Sequence, residues 1–248
     1  KDKWSVFYGG EEYSGYWGLA AALRRAIEES LPLWDATYLA ELTGGRLARI
    51  LRGRGELPML GERLSNLREV GRVLLKHWDG QFARAVEAAE GSALRLVETV
   101  AERFPSFRDV PLWKGRPVPM LKRAQILAVD LAGTFNFERW GKFNDLASLT
   151  AFADYKLPQI LRAWGILEYD EALAQRVDAR RIIPSGDPME VEIRAATIGA
   201  VERLRQALNR QIADGRPHYK AYEVDWALWA AAQGTAVAPY HLTRTIYY

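Results

Sequence analysis

The stretch VEIRAATIGAVERLRQALNRQI, residues 191–212, places its apolar side chains at three- and four-residue steps. Val191, Ala195, Ile198, Val201, Leu204, Leu208 and Ile212 fall along one side of a cylinder with 3.6 residues per turn. A strand would need alternation with period two, and over its length the run has none. Just ahead of it, SGDPMEVEIRA (185–195) carries its own start signal. Asp187 reads as the N-cap, Pro188 as the first helical residue and Glu190 as the acid of a capping box. That leaves Glu192 and Arg194 as weaker site candidates. A long amphipathic helix with its cap written beside it points to a mostly α fold.

The rest of the chain repeats the pattern. Leu64, Leu67, Gly71, Leu74, Leu75 and Trp78 form a second stripe, and further helices are expected over 16–30, 91–104, 120–133 and 225–234. Strand signals are scarce. RDVPLWKGRPVPM (108–120) carries a KG pair suited to a tight hairpin, and LTRTIYY (242–248) suits a short strand. No repeat or linker-length tract breaks the chain, so residues 1–248 are expected to form a single compact helical domain with at most short β-hairpin segments.

Composition excludes several classes. The 248 residues are 49% hydrophobic and 26% charged, ordinary for a globular domain. With no cysteine, disulfides and thiolate zinc sites are ruled out, and a reducing cytoplasm is the expected setting. Three histidines without i,i+4 spacing leave no expectation of a metal, and no cofactor is expected. The net charge of +3 is dispersed. Its densest stretch, GGRLARILRGRG (44–55), reads as a solvated helix face and its exit loop, so no stable grip on nucleic acid is expected. No long apolar run or signal peptide is visible, so no membrane partner is expected. Opening on KDKW without Met, the sequence is expected to lack its native start. The glycine-rich dinucleotide motif, the Walker A loop, the serine-hydrolase elbow and the HExxH pair are all absent.

Two residues invite a chemical reading. Asp154 in TAFADYKLPQILRAWG (150–165) precedes Pro158, and an aspartate there commonly caps a helix. Its flanks Phe152 and Tyr155 are large aromatics, which suit a carboxylate beside a flat ligand. Lys122 shares a helical face with Gln125, Ile126 and Val129. Such a lysine commonly lays its stem over apolar neighbours, or it can sustain a carboxylate for general-base or electrostatic work. In the tail YHLTRTIYY, His241 and Arg244 with the phenols Tyr247 and Tyr248 could hold a phosphate, or simply pack on the domain.

The blocks FPSFRDV (104–110), KRAQILAVDL (122–131), LTAFADYKLPQILRAWGILEY (149–169), SGDPMEVEIRA and a final IYY occur in this order. Together with YSGYWGLAAALRRAIE and LGERLSNLREVGRVLL earlier, they resemble the queuosine salvage family of queuosine 5'-phosphate N-glycosidases over nearly the whole chain. The resemblance implies a helical fold related to the helix-hairpin-helix DNA glycosylases. It implies hydrolysis of the N-glycosidic bond of queuosine 5'-monophosphate, releasing queuine for salvage into tRNA. The family's catalytic aspartate lies in the FADY block, here Asp154, and its lysine opens the KRAQ block, here Lys122.

That substrate sets expectations for the other residues. A carboxylate near the anomeric carbon stabilises oxocarbenium character and can orient water. Lys122 is expected to position and polarise rather than to form an imine. Phe152 and Trp229 are expected to stack on the base, with Tyr155 beside them. The phosphate is assigned to His241 and Arg244, with Tyr248 nearby and Lys156 in reserve. The side-chain amine and diol are assigned to Asp225 first and Glu192 second. The expected enzyme is a cytoplasmic monomer. Two other classes stay open: a glycosylase-like protein acting on bases in DNA or tRNA, and a non-catalytic nucleoside-binding helical protein.

Overall fold

Residues 5–14 form a hairpin that the helical periodicity did not signal. Strand β1 (Ser5–Tyr8) pairs antiparallel with β2 (Glu11–Ser14) around Gly9 and Gly10. Both glycines have positive φ, +60° and +90°, as a two-residue turn matched to strand twist requires. The computed structural model describes residues 3–212, 216, 218–234 and 239–248. The chain divides into two compact units, Lys1–Ala85 and Val86–Tyr248.

In the first unit, the hairpin leads into α1 (Gly15–Glu28), α2 (Ala36–Ala40), α3 (Gly44–Ile50) and α4 (Leu60–Trp78). Asp35 and Thr43 cap α2 and α3 by accepting from the backbone N–H groups of Tyr38 and Arg46. The core gathers Trp4 and Val6 from the hairpin end, Ala22 and Ala26 from α1, and Leu42, Leu47 and Ile50 around α3. Gly71, read on the α4 stripe, is there because nothing larger fits. A Cβ at that position would stand 2.3 Å from the backbone nitrogen of Ala40 and 2.4 Å from the carbonyl oxygen of Ala36. Helix α5 (Phe82–Ala88) carries the chain across the division.

In the second unit, α6 (Ala93–Arg103) is capped twice. Ser92 accepts from the Arg95 N–H, and the Asp145 carboxylate accepts from the Ala93 N–H and the Ser92 hydroxyl, both at 2.6 Å. The KG hairpin forms as expected, β3 (Leu112–Trp113) against β4 (Arg116–Pro117), with Lys114 and Gly115 both at positive φ. Then come α7 (Lys122–Thr134), α8 (Lys156–Ala163), α9 (Glu171–Asp178), α10 (Pro188–Arg210) and α11 (Ala221–Gly234). The mostly α class is as expected. LTRTIYY is not a strand; it makes only a single parallel bridge, Leu242 with Ile182.

Helices α8, α10 and α11 pack around Leu157, Ile160, Leu161, Val201, Val224 and Leu228. Each such aliphatic side chain contributes about 1.5–3 kcal/mol when buried. Within α10 the buried face is turned from the expected one. Ala195 is exposed, while Glu190, Ile193, Arg194 and Thr197 are buried beside Val191 and Val201. A hydropathy stripe misses a face whose charges neutralise one another. Among the described residues no helix is long and apolar enough to cross a membrane.

Candidate active site

Residues 150–154 form neither helix nor strand, and three helices grip the backbone of 150–153 through side chains. From α7, Gln125 accepts the Thr150 N–H at 2.9 Å while its amide donates to the Met120 carbonyl at 2.9 Å. From α11, the Asp225 carboxylate accepts the Phe152 N–H at 2.6 Å. From α10, Arg194 Nε donates to the Ala153 carbonyl at 3.1 Å. The next residue is Asp154. Its Oδ1 accepts from the N–H groups of Lys156 and Leu157, at 2.7 and 3.0 Å, in the first turn of α8. Pro158, lacking an N–H, stands in that same turn, where none is needed. Asp154 is therefore a capping residue, and the cap fixes where its carboxylate stands.

Lys122 opens α7, immediately after Leu121, which holds a left-handed backbone at φ +47°. That conformation is uncommon for a bulky residue and persists where surroundings enforce it. Here the Asp109 carbonyl accepts from both Met120 and Leu121 N–H, at 3.0 and 3.1 Å. Lys122 lies within charge range of Asp154 and Asp225. Burial pulls its ammonium pKa below the usual lysine range, and the two carboxylates pull it back only in part. Asp225, 3% exposed, is pushed up to about 7 by burial and by Asp154, against the Phe152 N–H and Lys122. Two carboxyl groups and a lysine thus share one desolvated cluster.

Beside it lies an ionic knot that sequence reasoning did not assemble. Arg194 forks onto Asp109, Nη1 to Oδ1 at 3.0 Å and Nη2 to Oδ2 at 2.5 Å, and reaches Glu190 at 3.4 Å. Arg194, Asp109 and Glu190 are each 1% exposed. Glu190 accepts from the Tyr248 hydroxyl at 2.7 Å and from the Gly186 N–H at 3.0 Å, so it reaches back one residue beyond the expected capping box. The Tyr248 ring covers the Arg194 guanidinium at 4.5 Å. The only sequence signal was an arginine and two acids inside otherwise conventional blocks.

The other nominated residues part company. Phe152 is sealed, 3% exposed. Tyr155 packs its ring 4.7 Å from Tyr240 and its phenol is pushed up by burial and by Asp154. Trp229 stands four residues from Asp225 on α11 and packs against the α8–α10–α11 core. His241 is 1% exposed, faces the Tyr248 hydroxyl at 3.3 Å, and is driven down to about 4 by burial and by Arg194. Uncharged at neutral pH, it offers no cation to a phosphate. Arg244 is exposed, so the pair does not share an environment. Glu192 accepts from the Trp113 indole at 2.8 Å. A separate cavity of 320 Å³, lined by Arg139, Trp140 and Lys142 among others, includes none of these residues.

Comparison with known proteins gives a consistent picture. A family model described as queuosine salvage protein matches residues 1–248. A protein of Sphaerobacter thermophilus named queuosine 5'-phosphate N-glycosylase/hydrolase is 51% identical over 249 residues, covering 99% of this chain and 76% of that protein. Proteins of the same name from Bos taurus and Nematostella vectensis are 36% and 35% identical, covering 99% and 100% of this chain and 75% and 76% of their own lengths.

Proposed function

We propose that this chain, which belongs to the queuosine salvage protein family, hydrolyses the N-glycosidic bond of queuosine 5'-monophosphate to release queuine. The family match along the whole described length carries this reading. The desolvated cluster of Asp154, Asp225 and Lys122 supports it with a suitable chemistry.

The C1′–N bond breaks and its electron pair leaves with the base, so positive charge grows on the ribose. Asp154, with one oxygen held by the cap and the other available to the reaction, stabilises that charge and receives a proton from the attacking water. The water oxygen bonds to C1′, giving ribose 5-phosphate and free queuine. Position 7 of queuine is carbon, so the departing base cannot be helped by protonation there. Asp225, whose carboxyl titrates near neutrality, supplies the proton the base takes up. This replaces its expected role toward the side-chain amine, because a protonated carboxyl is a poor partner for an ammonium. Lys122 moderates the repulsion between the two carboxyl groups.

Trp229, one turn along from Asp225, is the aromatic we assign to the base. Arg244 is the cation we assign to the phosphate, with Lys156 beside the cap in reserve. The substrate is a free nucleotide in the reducing cytoplasm, not a duplex or tRNA, because a dispersed net charge of +3 provides few phosphate contacts.

The deciding experiment incubates the protein with queuosine 5'-monophosphate, queuosine and GMP, and detects free queuine by mass spectrometry. Queuine from the monophosphate is expected; bound nucleotide with no product from any of the three refutes an enzymatic role. Lys122→Ala is expected to lower kcat about 100-fold while nucleotide affinity changes less than about threefold. Unchanged turnover removes Lys122 from the site. Arg244→Ala is expected to narrow the preference for nucleotide over nucleoside by about tenfold. An unaltered ratio of the two kcat/KM values assigns the phosphate elsewhere.

A further inference from the structure

We infer that the buried Asp109–Arg194 pair is the positioning device of this site, setting Lys122 and Asp154 against each other. The inference rests on the assignment of those two residues above.

The argument is geometric. Lys122 and Asp154 lie on different segments; α7 reaches the second through Gln125, but only at Thr150, four residues before Asp154, and no backbone–backbone bond joins α7 to residues 151–154. Arg194 reaches the second segment directly. Its Nε donates to the Ala153 carbonyl, the peptide oxygen immediately before Asp154. Its two terminal nitrogens fork onto the Asp109 carboxylate. The same residue, Asp109, reaches the first segment by its backbone. Its carbonyl accepts from Met120 and Leu121 N–H, the two positions that precede Lys122. A continuous path therefore runs from the peptide before Asp154, through a planar guanidinium and the Asp109 residue, to the backbone N–H groups of the two residues before Lys122.

The guanidinium suits this task as a lysine would not. A rigid fork fixes direction as well as distance, and the third nitrogen is left to hold the carbonyl. The left-handed Leu121 marks the other end of the path as a conformation imposed from outside. Both residues are 1% exposed, so the pair is not a surface ornament whose geometry solvent can relax. Asp109 and Arg194 also lie within charge range of Lys122 itself, so loss of one partner leaves an uncompensated charge beside the cluster.

The test compares Arg194→Lys and the isosteric Asp109→Asn with Glu190→Gln. Glu190 belongs to the same buried knot and stands 3.4 Å from Arg194 Nη1, but it touches neither catalytic segment; its shorter bonds are to Gly186 and Tyr248. Single-turnover and steady-state rates are read per folded molecule, beside wild type and Asp154→Asn. Positioning predicts kcat down about 100-fold in Arg194→Lys and about 30-fold in Asp109→Asn, with KM within about threefold, and kcat within about threefold in Glu190→Gln. If the network is merely structural, all three variants lose stability and folded yield, yet their folded fraction turns over normally, and the inference is overturned. It is overturned equally if Glu190→Gln loses as much kcat as the other two, or if KM carries the loss. An inactive wild type, or an active Asp154→Asn, strikes the underlying assignment instead, so the two failures are distinguishable. Where a variant yields no folded protein, Arg194→Gln replaces Arg194→Lys and Asp109→Glu replaces Asp109→Asn, read against the same thresholds.

Discussion

Asp154→Asn is expected to fold as the wild type does and to hydrolyse queuosine 5'-monophosphate about 1000-fold more slowly. The two halves of that result come from the two oxygens of one side chain. Oδ1 accepts from the Lys156 and Leu157 N–H groups, and an asparagine carbonyl oxygen can accept the same bonds. The cap survives, and with it the start of α8. On the proposed mechanism, what is lost is the negative charge that stabilises the ribose, worth a factor of about 100 to 1000, and the ability to take a proton from water, worth about 100 to 10,000. Asp154→Ala separates the roles. It is expected to be equally inactive and, lacking the cap, about 1 kcal/mol less stable in urea unfolding. A rate in the asparagine variant within tenfold of wild type would show that capping is all Asp154 does.

The second large effect concerns Asp225 and pH. Its carboxyl is raised to about 7 in the folded protein, from an ordinary carboxylate value near 3.8. Below about pH 4 the group is protonated folded or unfolded and makes no difference to stability. Between about pH 4 and 7 the folded state keeps a proton that the unfolded chain gives up, so stability falls as pH rises. Above 7 the full cost, on the order of 4 kcal/mol, is present. Asp225→Asn cannot titrate, and its carbonyl oxygen can still accept the Phe152 N–H. Relative to wild type it is expected to gain about 4 kcal/mol of stability between pH 4 and pH 8, about 10 °C in Tm at the higher pH. Its turnover is expected to fall, because the proton for the departing base has gone. In the wild type, kcat should decline as pH rises through about 7, and in the variant that limb should be flat. The charge of Lys122 holds the Asp225 carboxyl down, so Lys122→Ala should move the limb upward. Parallel stability curves for wild type and variant would show that Asp225 carries no such cost.

Much of this was legible before any coordinates. Helix-forming periodicity located α1, α4, α6, α7 and α10, and Lys-Gly marked the β3–β4 turn. The Gly9-Gly10 turn gave an equally good signal just ahead of the helix expected over 16–30, and it went unread. The site was harder for a physical reason. A sequence pattern reports which side chains avoid water, and it counts Arg194, Asp109 and Glu190 as surface because each alone would be. Only the fold shows that they satisfy one another. His241 fails in the opposite direction: histidine beside arginine suggests a cationic patch, yet burial and Arg194 leave the imidazole neutral. Gln125 stood out only as a neighbour of Lys122 on a helical face, whereas it holds the loop that presents Asp154.

The three grips on residues 150–153 have a consequence for how the protein becomes active. They join partners 25, 73 and 41 positions apart in sequence, and each comes from a different helix. Such closures are late events, because the chain must order before distant contacts can form. During refolding from denaturant, far-UV helicity is therefore expected to recover first and hydrolysis to lag behind it. Partly folded molecules would be helical and silent, so nucleotide is cleaved only by chains whose assembly is complete.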